Sequence, residues 1–197
     1  MELPIFPLNG AVLFPGTSLP LNIFEKRYIE MVDYSLARDR YIGMIQTDEN
    51  NNLHKIGCIG KIHSFNETND GRYLISLQGI NCFEVVDELS KNYSFRIVNV
   101  NYIDNDEENF VFSANQKNIL IKKYKKYINI KNINLDFNEI EKIEFSQIIK
   151  FIAMASPFND IDKQVLLETK NFRDFYDKLL SIIELELVGS FSNETIN

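Results

Sequence analysis

The side chains with the right types for chemistry are few, and their spacing does not join them. His54, Cys58 and His63 are separated by three and four residues, and Cys82 lies far downstream. Neither the paired CxxC nor the HExxH spacing of a zinc centre is present. The histidines read as rim positions on strands, the cysteines as buried free thiols of a reducing compartment, and no metal is assigned. Meeting of His63 and Cys82 across a sheet is the one arrangement the spacing leaves open. "GCIGKI" at 57–62 holds Gly57, Gly60 and Lys61 but lacks the spacing of a phosphate loop, so it reads as a strand with permissive glycines. No GxSxG elbow occurs, and serine and lysine are too plentiful for any dyad to be singled out. The carboxylate pairs Glu107/Glu108 and Glu139/Glu141 sit in polar runs and read as solvated faces. No catalytic residue and no cofactor is assigned.

One basic feature remains, the lysines between 117 and 131, with Lys122, Lys123, Lys125 and Lys126 mostly off the apolar stripe of their helix. They read as the wet face of that helix rather than as an RNA contact. The net charge of −7 and a pI near 5.0 oppose a phosphate backbone, so nucleic acid is disfavoured as a partner. No apolar run approaches the ~18 residues of a membrane span, and "MELPIFPLNG" lacks the basic and apolar parts of a signal peptide. A cytoplasmic protein without membrane contact is the expectation. With 45% hydrophobic residues in a chain of 197, a sizeable core is available.

The elements that would position any site fall into two kinds. The first half alternates apolar and polar residues in short runs: Leu3 and Ile5, a run over 11–14, Leu19 and Leu21, "YIGMIQTD" from Tyr41 and "KIGCIGKIHSF" from Lys55. "NDG" at 69–71 supplies a hairpin turn. "RYLISLQGINCFEVVDE" follows with Gly79 as a bulge or corner, and "SFRIVNVNYI" from Ser94 closes the series. Pro15, Gly16 and Pro20 in "LFPGTSLPLNIFEKRYIEMV" make a turn and an edge strand ahead of an amphipathic helix at about 23–38, with Asn22 as its cap and Glu25 reaching back. Phe24, Tyr28, Met31, Val32, Ser35 and Leu36 share one face of it.

After the acidic run 104–109 the period changes to that of helices. Ser113 and Gln116 form a capping box. Ile121, Tyr124 and Ile128 line one face of the helix that follows. "FSQIIKFIAMAS" runs from Phe145 to the stop at Pro157, Asp160 opens a further helix, and Asn171 caps the last, which ends at Gly189. The expected fold class is α+β: a mostly antiparallel β-barrel-like subdomain over 1–108 carrying the early helix, a helical subdomain over 109–190, and a frayed tail over 191–197.

The N-terminal string resembles the substrate-binding domain of the ATP-dependent Lon proteases, in the form of the short bacterial proteins that carry that domain alone. The residues that match are Leu3-Pro4, Phe6-Pro7-Leu8, Leu13-Phe14-Pro15-Gly16, Leu19-Pro20-Leu21, Ile23-Phe24-Glu25 and Arg27-Tyr28. "YIGMIQ", "IGCIGKI" and "LISLQGINCFEV" follow in the family's order, and "FIAMASPFNDIDKQVLLE" resembles its helical segment. Lys26 stands where such single-domain proteins often have Pro, and Cys82 where Arg is common. The resemblance implies a PUA-like barrel with an early helix and a C-terminal helical bundle. It also implies a non-catalytic module that binds unfolded or client polypeptides, with proteolysis machinery as a further partner and an adaptor or quality-control role. Family ATPase and Ser-Lys peptidase modules have no counterpart in the sequence, so no enzymatic activity is expected. Client contacts are expected at Phe14, Phe24 and Tyr28, large side chains near the Pro/Gly corner, through an apolar groove or strand addition to an open edge. Recognition of a small ligand or RNA, as PUA-like barrels elsewhere perform it, is the alternative; a hydrolytic enzyme is the third reading.

Overall fold

A computed structural model describes residues 1–103, 110–135 and 143–194, with side chains to Gly189. Among the described residues there are six strands and five helices, an α+β fold. Strands β1 (Glu2–Pro7), β2 (Ser18–Ile23), β3 (Tyr41–Ile45), β4 (Ile56–Glu67), β5 (Tyr73–Leu89) and β6 (Ile97–Ile103) form one sheet in the order β2-β5-β4-β3-β1-β6. Every pairing is antiparallel except β1 with β3. β5 is long enough to serve three neighbours. Residues 73–84 follow β4, residues 73–78 take β2, and residues 82–89 take β6. Alternate residues turn inward to form a sealed cluster of Leu3, Ile5, Ile45, Ile59, Phe83, Val98 and Val100.

Contacts divide the chain into two units, Met1–Asn105 with Ser156–Glu168, and Asp106–Ala155 with Thr169–Asn197. The first holds the sheet, helix α1 (Lys26–Leu36) and helix α4 (Asp160–Leu167). α1 buries Tyr28, Met31, Val32 and Ser35. α4 groups with the sheet although it lies within the stretch 109–190 that reads in sequence as helical. Gln46 explains this: its Nε2 donates to the Asp160 carbonyl at 3.0 Å and to Gln164 Oε1 at 3.1 Å. Gln164 Nε2 in turn donates to the Ile56 carbonyl, and Lys163 Nζ to the Gly10 carbonyl at 2.8 Å. All three side chains are buried, so each hydrogen bond replaces one that water would otherwise supply.

The second unit holds α2 (Ala114–Ile130), α3 (Phe145–Ala155) and α5 (Phe172–Glu194). The Ser113 and Gln116 capping box is present at the start of α2. Phe112 meets the rings of Phe145, Phe172 and Tyr176, and Tyr176 Oη donates to the Gln116 carbonyl at 2.9 Å. Asn171 caps α5 by accepting from the Asp174 N–H at 2.9 Å.

Several expectations change. Asn22 does not cap a helix: β2 runs on to Ile23, which pairs with Tyr73, and Glu25 becomes the N-cap without a side-chain cap bond. The run 11–14 is not a strand, yet Val12, Leu13 and Phe14 are buried beneath the corner that follows. α5 passes through Gly189 and ends at Glu194, so 191–194 is helix; 195–197 lie outside the described residues. The acidic run 104–109 and the pair Glu139/Glu141 also lie outside them.

Candidate functional site

The corner after the buried Phe14 is a turn. Thr17 N–H donates to the Phe14 carbonyl at 3.1 Å, Pro15 takes the second position, and Gly16 takes the third with φ +79, the arrangement of a type II turn. The Thr17 hydroxyl adds a second bond to the same carbonyl at 2.7 Å. The chain then enters β2. Gly79 N–H donates to the Thr17 carbonyl at 2.8 Å, which sets the phase of the β2–β5 ladder. In that phase residues 19, 21 and 23 turn their backbone groups toward β5. Ser18, Pro20 and Asn22 turn theirs away, and Pro20 has no N–H to offer in either direction. Among the described residues β2 pairs with β5 alone, so this outward side is an open sheet edge.

Large apolar groups flank the edge. Phe24 follows the Ile23–Tyr73 pair and is 65% exposed. Phe65 meets Tyr73 edge-on with ring centroids 4.9 Å apart, and Leu74 emerges on the opposite face of the ribbon beside Asn22 and Asn66. The β4–β5 turn beyond is held by Asp70, which accepts from Thr68 Oγ1 and from Arg72 Nε at 2.8 Å. These bonds, Arg72 first, lower the Asp70 pKa to about 2. Because the folded value lies below the unfolded one, the turn gains from the charged carboxylate above the ordinary carboxyl range and loses that gain as pH falls toward 2. A carbon-detected NMR titration should find the Asp70 midpoint near 2, and Arg72→Ala should return it toward the ordinary range.

Of the three side chains expected to meet a client, only Phe24 is exposed. Phe14 is 2% exposed, so its ring has no surface to offer a client. Tyr28, 7% exposed, packs on Phe6 with ring centroids 4.3 Å apart, and the Arg27 guanidinium lies 4.5 Å above its ring. Burial pushes its phenol above the ordinary value, with Arg27 opposing. Tyr28 lines a cavity of about 470 Å³ between the end of β1, the start of α1 and the approach to β6. Sequence spacing does not disclose this cavity, since its walls come from residues 7–9, 27–28, 47 with 51, and 94–96.

The other chemistry-bearing residues do not converge. Cys82 faces Cys58 across β4 and β5, and His63 sits at the register shift between Ile62 and Ser64, away from both. Among the described residues no group of His, Cys, Asp and Glu could hold a metal ion. Lys123 and Lys131 are tied to Glu184 and Glu186 of α5 at 2.8 Å each, which spends part of the basic cluster inside its own unit.

The profile of the ATP-dependent protease La (LON) substrate-binding domain matches residues 2–184. The chain belongs to the Lon substrate-binding domain family. Lon protease of Flavobacterium johnsoniae is 25% identical over 201 residues, taking in 95% of this chain and 24% of that protein. Lon protease of Buchnera aphidicola subsp. Acyrthosiphon pisum is 25% identical over 200 residues, with 95% of this chain and 25% of its own length aligned. The chain thus spans about a quarter of the length of these curated Lon proteases. Among solved structures, the Lon N-terminal domain protein from Xanthomonas campestris has a TM-score of 0.70 at 20% identity, covering 92% of this chain and 98% of that one. The N-terminal domain of the Mycobacterium avium complex Lon protease has a TM-score of 0.64 at 14% identity, covering 93% and 98%. These likenesses establish a Lon N-domain fold, and the part of Lon that is matched is the substrate-binding domain. No described helix is long and apolar enough to cross a membrane.

Proposed function

We propose that the chain binds extended polypeptide without catalysing its cleavage, by adding a client strand to the open edge of β2 while a client apolar side chain covers Phe24. The observation that carries this reading is the one-sided pairing of β2. Backbone hydrogen bonds give affinity that ignores client sequence, and the aromatic beside the edge favours apolar segments, the combination an unfolded client requires. The circuit of pairings β5-β4-β3-β1-β6-β5 supports a closed PUA-like barrel on which β2 is an outlying ribbon. The binding half is the sheet unit with α4. Its role is that of an adaptor or quality-control factor delivering clients to a cytoplasmic protease.

Asn22 supplies the test. Its N–H points away from β5, so Asn22→Pro removes a donor from the open edge and leaves the β5 ladder whole. Anisotropy titration with labelled, reduced and carboxymethylated α-lactalbumin should show binding weakened about tenfold or more for Asn22→Pro and within about twofold for Asn22→Ala. Equal affinity of Asn22→Pro and the parent, at unchanged urea midpoint, would remove the edge from consideration.

A further inference from the structure

The cavity beside Tyr28 is lined by side-chain donors that face it without a protein partner. Most of the Tyr28 ring is buried, but its hydroxyl is not sealed from solvent, and among the described residues it makes no hydrogen bond to protein. Around it stand further unspent donors. The exposed Asn9 uses its Oδ1 to accept from the Thr47 N–H at 2.8 Å and from Thr47 Oγ1 at 3.3 Å, and among the described residues its Nδ2 has no protein partner. The exposed Asn51 lines the same cavity, and among the described residues its side-chain amide has no protein partner either. Two guanidiniums complete the polar wall. Arg27 lies over the Tyr28 ring and is held by Glu25 at 2.9 Å; Arg96 is gripped in a fork by Glu88 at 2.7 Å on both arms. Thr47 and Ser94 add polar groups, and Pro7, Leu8 and the buried Phe95 supply the apolar part of the lining.

We infer that this cavity is a carboxylate-binding site, in which Tyr28 Oη, Asn9 Nδ2 and Asn51 Nδ2 donate to the oxygens of a carboxyl group carried on a short apolar segment of polypeptide. The chemistry selects the ligand. The unpartnered groups nearest the phenol are donors, so the occupant must accept. Both arginines are already paired with glutamates, so little net positive charge is left for a polyanion such as nucleic acid or a phosphate cluster. A cavity of about 470 Å³ has room for a few residues. Two sources carry that chemistry, a polypeptide's terminal α-carboxylate and an internal acidic side chain. The inference rests on the polypeptide-binding reading above for its ligand class, but uses a different surface from the β2 edge.

The test is an anisotropy titration of the full chain with three pentapeptides of alanine and leucine, labelled at the N-terminus with an uncharged boron-dipyrromethene dye: one ending in a free acid, its C-terminal amide, and the amide with a single internal glutamate. Tyr28→Phe keeps the ring on Phe6 and removes only the hydroxyl. Binding of the free acid that falls about tenfold in the amide and about tenfold in Tyr28→Phe is the expected result and names the terminus as source. Binding restored by the internal glutamate, and again lost in Tyr28→Phe, names the side chain and equally supports the site. Amide nitrogen–proton NMR should show the Asn9 and Asn51 side-chain signals moving on addition of the bound peptide, and the Tyr28→Phe urea midpoint should stay within error of the parent. Indifference of affinity to the carboxylate and to the hydroxyl, or no peptide bound at all, overturns the site. The α-lactalbumin titration separates the two readings: a client bound through the β2 edge with no carboxylate dependence sinks the cavity alone, while carboxylate peptides bound without any unfolded client sink the edge alone.

Discussion

Gly79→Ala is expected to lower the unfolding free energy by about 3 kcal/mol, the top of the ordinary range for overpacking. A Cβ at this position would lie 2.1 Å from the Phe14 carbonyl oxygen and 2.9 Å from its carbon. Flexible side chains can retreat from such a contact, but this obstacle is backbone. Nor can the carbonyl swing aside, because it accepts from both the Thr17 N–H and the Thr17 hydroxyl. Gly79 itself is fixed by two bonds to the same corner, its N–H to the Thr17 carbonyl and its carbonyl from the Gly16 N–H at 2.9 Å. The methyl group must therefore part the corner from β5 or break the ladder. Urea unfolding measures the loss, and hydrogen exchange locates it: β2 amides should exchange faster than those of β1 and β6. Ile80→Ala, one residue on and 44% exposed, serves as a control expected to cost under about 1 kcal/mol. A cost below about 1 kcal/mol for Gly79→Ala would mean that the corner is not clamped as described.

That clamp also shows what a sequence can and cannot disclose here. Pro15, Gly16 and Pro20 announce a turn and an edge strand because each residue type restricts its own backbone, and local restriction is legible without a partner. The Ser113–Gln116 capping box and the stop at Pro157 are legible for the same reason. Phe14 is not. Its apolar ring beside a Pro/Gly corner suggested a contact surface, but its burial depends on the corner folding against Gly79, more than sixty residues away. Its spacing to Tyr28 and Met31 puts Phe24 on the inner face of a helix. The β2–β5 ladder reaches Ile23 first and strips Phe24 from that helix, which leaves it in solvent. Tertiary pairing overrode helical period at the one position where the outcome bears on function. The cavity at Tyr28 was beyond reach altogether, since its four wall segments become neighbours only through the sheet order.

The same holds for Gln46, a polar residue at the end of an apolar strand that gives no sign of its importance. Gln46→Leu is expected to cost about 3 kcal/mol. The side chain is 1% exposed, and it satisfies three groups at once: the Gly10 N–H through its Oε1 at 3.3 Å, and the Asp160 carbonyl and Gln164 Oε1 through its Nε2. Leucine fills the volume but takes the buried donor from Gln164 and the part-buried partners from the Gly10 N–H and the Asp160 carbonyl, and leaving such groups unmade costs more than making the bonds gains. Gln164→Leu alone should cost a comparable amount, because Ile56 and Glu168 lose its donors. The double variant should cost less than the sum, since each single change already leaves the other's partner orphaned. Strict additivity in the double-mutant cycle would contradict a shared network. The consequence reaches the proposed site as well. Gly10 is held from both sides, by Gln46 at its N–H and by Lys163 at its carbonyl, and the adjoining Leu8 and Asn9 form one wall of the Tyr28 cavity. Gln46→Leu should therefore weaken carboxylate-peptide binding under conditions where the chain is still folded, without altering the affinity of a client seated on the β2 edge.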